Sequence, residues 1–141
     1  MVKPSGKDDE ALYRIGYCYF RMGDYEKAEE ARNRLLEDYP RSLWVSEVIS
    51  DIMETYLSKG QTDLAIALAD DYLAKRPGGK LADAMLLRKG DLLFTLKKYD
   101  DAITAYQRLP VDYPQSERIP NAVYMAGLAS CLLYTSPSPR D

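Results

Sequence analysis

A repeat of fixed length constrains this chain more than any other feature. Aligning "GDYEKA" (23–28), "GQTDLA" (60–65) and "KKYDDA" (97–102) sets Ala28, Ala65 and Ala102 37 residues apart. Pro40, Pro77 and Pro114 keep that step, as do Ser42, Gly79 and Ser116, each two residues past its proline. Self-similarity at this period marks stacked supersecondary units, each of which buries its apolar face only against a neighbour.

Helical apolar spacing lies on both sides of each alanine. Upstream stand Leu12, Ile15 and Tyr19, then Ile49, Ile52 and Tyr56, then Leu86 and Leu93; downstream stand Ala28, Ala31 and Leu35, then Ala65, Leu68 and Tyr72, then Ala102, Ala105 and Leu109. Each period is therefore expected to be a helical hairpin. Gly23 and Gly60 suit the left-handed position that ends a first helix, with Asp24 and Thr62 placed to cap the second. Lys97 and Lys98 stand in that turn of the third period and specify it less well. The second helices should stop before Pro40, Pro77 and Pro114, and Ser42 and Ser116 offer side-chain oxygens to the next helix. Pro110 is expected to kink its helix or end it early.

These residues resemble the tetratricopeptide repeat, whose pattern is W-x2-L-G-x2-Y, A-x3-F and P. The first repeat reads Leu12-x2-Ile15-Gly16-x2-Tyr19, Ala28-x3-Arg32, Pro40; the second Ile49-x2-Ile52-Met53-x2-Tyr56, Ala65-x3-Ala69, Pro77; the third Leu86-x2-Lys89-Gly90-x2-Leu93, Ala102-x3-Tyr106, Pro114. Met53 stands in place of the glycine, Arg32 and Ala69 in place of the aromatic, and Lys89 at a usually apolar position. The "YPxS" junctions (Tyr39 to Ser42 and Tyr113 to Ser116) are similar to those of tetratricopeptide proteins of the bacterial cell envelope, of the outer-membrane assembly lipoprotein and Tol-Pal-associated coordinator type. The resemblance implies an all-α, right-handed superhelical solenoid of antiparallel hairpins, about three and a half repeats long. Repeats are expected at about 8–41, 42–78 and 79–115, with a partial fourth at 116–130, after a disordered segment at 1–7.

Composition narrows the function. With 19 Lys+Arg against 22 Asp+Glu, the net charge of -3 supplies no positive field for a phosphate backbone, so nucleic acid is not an expected partner. Residues 119–139 are uncharged, but Asn121, Gly127, Ser130, Thr135 and the following Ser/Pro run argue against a transmembrane helix. There is no His, and Cys18 and Cys131 are the only thiols, so neither a Cys/His zinc site nor an imidazole base can be built. No phosphate-binding glycine loop or nucleophile elbow occurs, and Asp8-Asp9-Glu10 and Asp100-Asp101 are accounted for by the dipole at helix starts. No catalytic residue, metal or cofactor is expected. Cys18 is expected to be buried, and Trp44 to pack on the preceding hairpin rather than stand as an exposed anchor.

The family resemblance implies a concave surface lined by the first helices, which holds peptides or partner helices. Carried across, its positions are Tyr13, Tyr17 and Arg21, then Glu47, Ser50 and Glu54, then Leu87 and Asp91, with Tyr124 from the fourth repeat. The expected function is a noncatalytic scaffold gripping a segment with apolar anchors and a Lys or Arg through tyrosine faces, Glu54 and Asp91. The alternatives are a structural segment that self-associates through its repeat ends, and the repeat portion of a larger enzyme or envelope-assembly protein. A periplasmic or envelope location is suggested by the junctions; a cytoplasmic one stays open.

Adding the period to Leu86 and Gly90 gives Val123 and Gly127, so "NAVYMAGLAS" opens a fourth first helix. The text changes at Cys131. "CLLYTSPSPRD" (131–141) is similar to a translated frame of a transposase-based sequencing adapter, and is expected to be a non-native tail. An incomplete repeat exposes an apolar face, so self-association or fraying through 119–134 is expected.

Overall fold

The computed structural model describes residues 6–135, which form seven helices and, among the described residues, no strand. They are α1 (Lys7–Arg21), α2 (Tyr25–Asp38), α3 (Val45–Ser58), α4 (Thr62–Lys75), α5 (Ala82–Thr95), α6 (Tyr99–Asp112) and α7 (Ile119–Thr135). The helix starts Val45, Ala82 and Ile119 repeat at 37 residues, as do Tyr25, Thr62 and Tyr99. The segment expected to be disordered, 1–7, lies outside the described residues up to residue 5, and Lys7 is helical. Two compact units divide the chain, one ending at Lys59 and one beginning at Gly60. Among the described residues no helix is long and apolar enough to cross a membrane.

Each unit contains a hairpin closed at a glycine. In the first, a Cβ on Gly16 of α1 would stand 3.3 Å from Arg32 Cγ and 3.6 Å from Ala31 Cβ of α2. In the second, a Cβ on Gly90 of α5 would stand 2.5 Å from Tyr106 Cε1 of α6. The bare backbone is what lets a long side chain lie flat between the two helices. Around Tyr106 the second unit's core joins Leu86, Leu93, Ala102, Ala105, Leu109 and Ala122, with Ile66 and Leu73 of α4 packed against it. The first unit buries Ala28, Leu35, Val48, Ile49 and Met53.

The turns repeat as closely as the helices. Gly23 and Gly60 take φ of 83° and 70°, and Lys97 takes 62° at the equivalent place. The third turn therefore keeps the left-handed geometry with a residue that favours it less. Aromatic edges brace two of the turns: Phe20 meets Tyr25 at 5.5 Å and Phe94 meets Tyr99 at 5.4 Å.

Several local expectations are corrected. Asp24 does cap α2, accepting from Lys27 N–H at 3.3 Å, but the repeat step puts Gln61, not Thr62, at the cap position ahead of α4, and no side chain caps that helix. Pro110 does not shorten α6, which ends at Asp112 in register with Asp38 and Lys75. The proline falls in the last turn, where its missing N–H removes only one bond before the helix would stop. Cys18 is exposed, because two residues past Gly16 the helix has turned its side chain about 200° away from α2. Trp44 packs on the preceding hairpin, its ring stacked 4.6 Å from Tyr13.

The junctions between hairpins hold a contact that links residues 33 positions apart. Ser42 donates its hydroxyl to Asp9 Oδ2 at 2.5 Å and accepts from Trp44 N–H at 3.1 Å. In the other unit Ser116 donates to Asp83 Oδ2 at 2.7 Å and accepts from Arg118 N–H at 3.1 Å. The second junction has Gly79 instead of serine, and there the Tyr72 hydroxyl accepts the equivalent N–H, from Leu81, at 3.0 Å. A Cβ on Gly79 would run into that hydroxyl, so the tyrosine and the glycine come as a pair.

Asp9 is 2% exposed, yet its carboxyl is held below the usual range by the Ser42 hydroxyl, which together with the N–H groups of Gly6 and Glu10 outweighs burial. A depressed carboxyl stabilises the fold in full above its ordinary value of 3.8 and loses that contribution as the pH falls below it. Asp9→Asn should cost about 1.5–3 kcal/mol near neutral pH, measured by urea unfolding. The gap between variant and parent should close only as the pH drops below about 3.8, through loss of stability in the parent. A gap that persists unchanged into stronger acid contradicts the latch.

Candidate functional site

Three helices of the first unit build one face. Tyr13 and Tyr17 stand a turn apart on α1, and Glu47, Asp51 and Glu54 follow at i, i+4 and i+7 on α3, a spacing that puts all three carboxylates on one side of the helix. The buried side of this face is supplied by Arg32 of α2, 4% exposed. Its guanidinium donates to Thr55 Oγ1 at 3.2 Å, lies 3.9 Å from Asp51 Oδ2 and sits over the Phe20 ring at 5.0 Å. Thr55 in turn donates to the Asp51 carbonyl at 2.8 Å.

Electrostatics tie these groups together. Burial pushes the Asp51 carboxyl up; Arg32 pulls against that, while Glu47 and Glu54 add to it. Burial also raises the Tyr13 phenol, followed by the nearby charges of Asp51 and Glu47. Burial lowers Arg32, with Asp51 and Tyr13 opposing. One buried cation thus faces Asp51, whose carboxylate Glu47 and Glu54 also crowd. Next to it, the Tyr13–Trp44 stack presents a flat aromatic surface, and Tyr17 is 46% exposed. Such a surface can take a cationic side chain between a π face and carboxylates.

The residues expected from sequence are placed unevenly. Tyr13, Glu47 and Glu54 converge around Asp51, with Tyr17 open one turn from Tyr13. Ser50 is half-buried on α3, and Arg21 is exposed in the last turn of α1. In the second unit Leu87 packs against the core, Asp91 accepts the Tyr106 hydroxyl at 2.6 Å, and Tyr124 on α7 is 69% exposed. Asp91 is thereby committed to holding Tyr106. Burial above all, and then that bond, raises the tyrosine's pKa far above its usual range. Among the described residues no group of three or more His, Cys, Asp or Glu side chains could hold a metal ion.

Sequence reasoning missed Arg32 and Asp51. Arg32 was readable as a departure from the aromatic expected opposite Gly16, and a charge at a core position needs a counter-charge. The partner on α3 could have been sought from that need.

The sequence profile of the YfiO family, described as outer membrane lipoprotein, matches residues 5–98, more than half of the chain. The chain belongs to this outer membrane lipoprotein family. A tetratricopeptide-repeat profile matches residues 83–116 of this family member. Its structure is similar to that of a tetratricopeptide repeat protein from Parabacteroides merdae ATCC 43184, with a TM-score of 0.66 and 19% identity. The likeness covers 92% of this chain and 48% of that one, so the YfiO-family chain spans about half the length of its solved neighbour. It shows the fold, an all-α arrangement of tetratricopeptide type. No curated protein matches the chain.

The Arg32 arrangement makes a measurable claim. In Arg32→Met the Asp51 carboxyl should titrate at higher pH than in the parent, read from its side-chain carbon resonance, because the opposing positive charge is gone while burial and Glu47 remain. Stability should fall by about 1–3 kcal/mol as Thr55 loses its donor. An unmoved Asp51 titration contradicts the coupling.

Proposed function

We propose that this chain is a noncatalytic protein-binding scaffold of the cell envelope, and that the face of its first unit grips a partner segment through aromatic and acidic groups. The observation that carries the reading is the carboxylate row Glu47, Asp51 and Glu54 beside the Tyr13–Trp44 stack, with Arg32 reaching Asp51 from the buried side. The fitting ligand is an extended or helical peptide bearing a Lys or Arg next to an apolar anchor. The envelope location rests on the family, described as outer membrane lipoprotein. Leu87, Asp91 and Tyr124 of the second unit take a lesser part, Leu87 and Asp91 being largely engaged in packing.

A second reading, self-association, is favoured by one face of α7. Val123 is 59% exposed, Tyr124 69% and Leu128 37%, and a Cβ on Gly127 would meet nothing within 4 Å. Gly127 occupies the register of Gly16 and Gly90, both of which are covered by a second helix.

A peptide array varying basic and apolar residues separates the readings. The parent should retain peptides with a Lys or Arg beside an aliphatic or aromatic residue, and Tyr17→Ala/Glu54→Lys should lose at least about tenfold in affinity for them. Both positions are exposed, so circular dichroism should be unchanged. Equal binding by the two proteins removes the site, and a concentration-dependent sedimentation coefficient in the parent transfers support to self-association.

A further inference from the structure

The outer side of the first hairpin carries a groove separate from the acidic face. Leu12, Ile15 and Tyr19 of α1 form its floor with Ala31 of α2, around about 280 Å³ of open space, and Lys27 and Arg34 stand on its rim with Glu30 between them. Ile15 is 45% exposed although it continues the apolar stripe of its helix.

The second unit shows what the same surface does when filled. Two periods further on, the positions of Leu12, Ile15 and Tyr19 are Leu86, Lys89 and Leu93 of α5. There α4 covers them: Ile66 and Leu73, seven residues apart, pack against the core that contains Leu86 and Leu93, and between them Asp70 meets Lys89 at 2.6 Å. In the first hairpin the centre of the stripe is Ile15 instead of a lysine, while the rim has two cations to one carboxylate in a chain of net charge -3. A matching helix therefore differs from α4 at its centre, where an apolar residue must replace the aspartate, and carries its acidic residues at the flanks.

We infer that the Leu12–Ile15–Tyr19 groove of the α1–α2 hairpin is a docking surface for an amphipathic helix of a partner protein, with three apolar residues at i, i+4 and i+7 and acidic residues beside them. The occupant is argued from the α4-on-α5 contact in the second unit and from the charge of the rim. Lys27 already leans over Tyr19, 5.5 Å from the ring centroid, and its 3.9 Å pairing with Asp24 is between exposed side chains that a stronger acidic partner can displace.

The probe is a fluorescein-labelled helical peptide with the sequence of residues 61–74, ending before Lys75 and Arg76 so that it offers the acidic face no cation, in which Asp70 is replaced by leucine, compared with the same peptide retaining Asp70. Fluorescence anisotropy with the full chain should show the leucine peptide bound about tenfold more tightly, since its rival would bury a carboxylate against Ile15. Ile15→Lys, which recreates the α5 arrangement at a half-exposed position, should reverse that order. Lys27→Glu/Arg34→Glu should weaken the leucine peptide about tenfold, and Glu54→Lys, on the other face, should leave it unchanged. The two faces therefore fail separately. No binding, or an order that Ile15→Lys leaves unaltered, overturns the assignment; so does a parent dimer that Ile15→Lys dissociates, which would make a second copy of this chain the occupant.

Discussion

Each closed hairpin turns on a helix that lacks a side chain at one point. Gly16 and Gly90 let the second helix come close enough for Arg32 and Tyr106 to lie against bare backbone. The consequence for function starts there. Arg32, pressed flat by that approach, extends to α3 and meets Thr55 and Asp51, so the charge balance of the candidate face is set by packing inside the hairpin behind it. Tyr106, seated the same way, spends its hydroxyl on Asp91 and takes that carboxylate out of a potential binding surface. One backbone constraint with two different occupants yields one polar, adaptable face and one closed one. The middle period carries Met53 and Ala69 at these two positions, both buried.

A similar economy governs the junctions. The requirement is an acceptor for the N–H at residue 44, 81 or 118, just ahead of the next first helix. Serine meets it twice and is itself held by an aspartate, buried Asp9 or half-buried Asp83; a tyrosine from the preceding helix meets it once, and only because residue 79 has no side chain. The period survives the change because the N–H needs an acceptor and is indifferent to which residue supplies it.

This explains what could be read from the chain in advance. Helices, turns and hairpin order were legible because they depend on residue type at a fixed spacing: apolar stripes, prolines after the second helices, small residues at 16, 28, 65, 90 and 102. Contacts that join different periods were not. Asp9 looked like an ordinary acidic residue at a helix start, and nothing local says that its carboxylate is buried on Ser42. Asp51 stood out by no pattern in the sequence, and only the packing of α2 puts Arg32 beside it. Lys97 seemed to weaken its turn, yet the flanking helices hold it at φ 62°, tertiary packing overriding the local preference. Of the expected site residues, those on α1 and α3 depended only on helix faces, whereas the commitment of Asp91 depended on a hydroxyl reaching across from α6.

The claim that these hairpins close through a glycine and a long side chain as one unit is tested most directly by a double-mutant cycle on Gly90 and Tyr106, followed by urea unfolding. Gly90→Ala alone should destabilise by about 1–3 kcal/mol, since its Cβ would press on the ring. In a Tyr106→Leu background the same change should cost little or become stabilising, because alanine is the better helix former by about 1 kcal/mol once the space is free. A coupling of about 2 kcal/mol is the predicted result. Additive effects of the two substitutions would contradict the account.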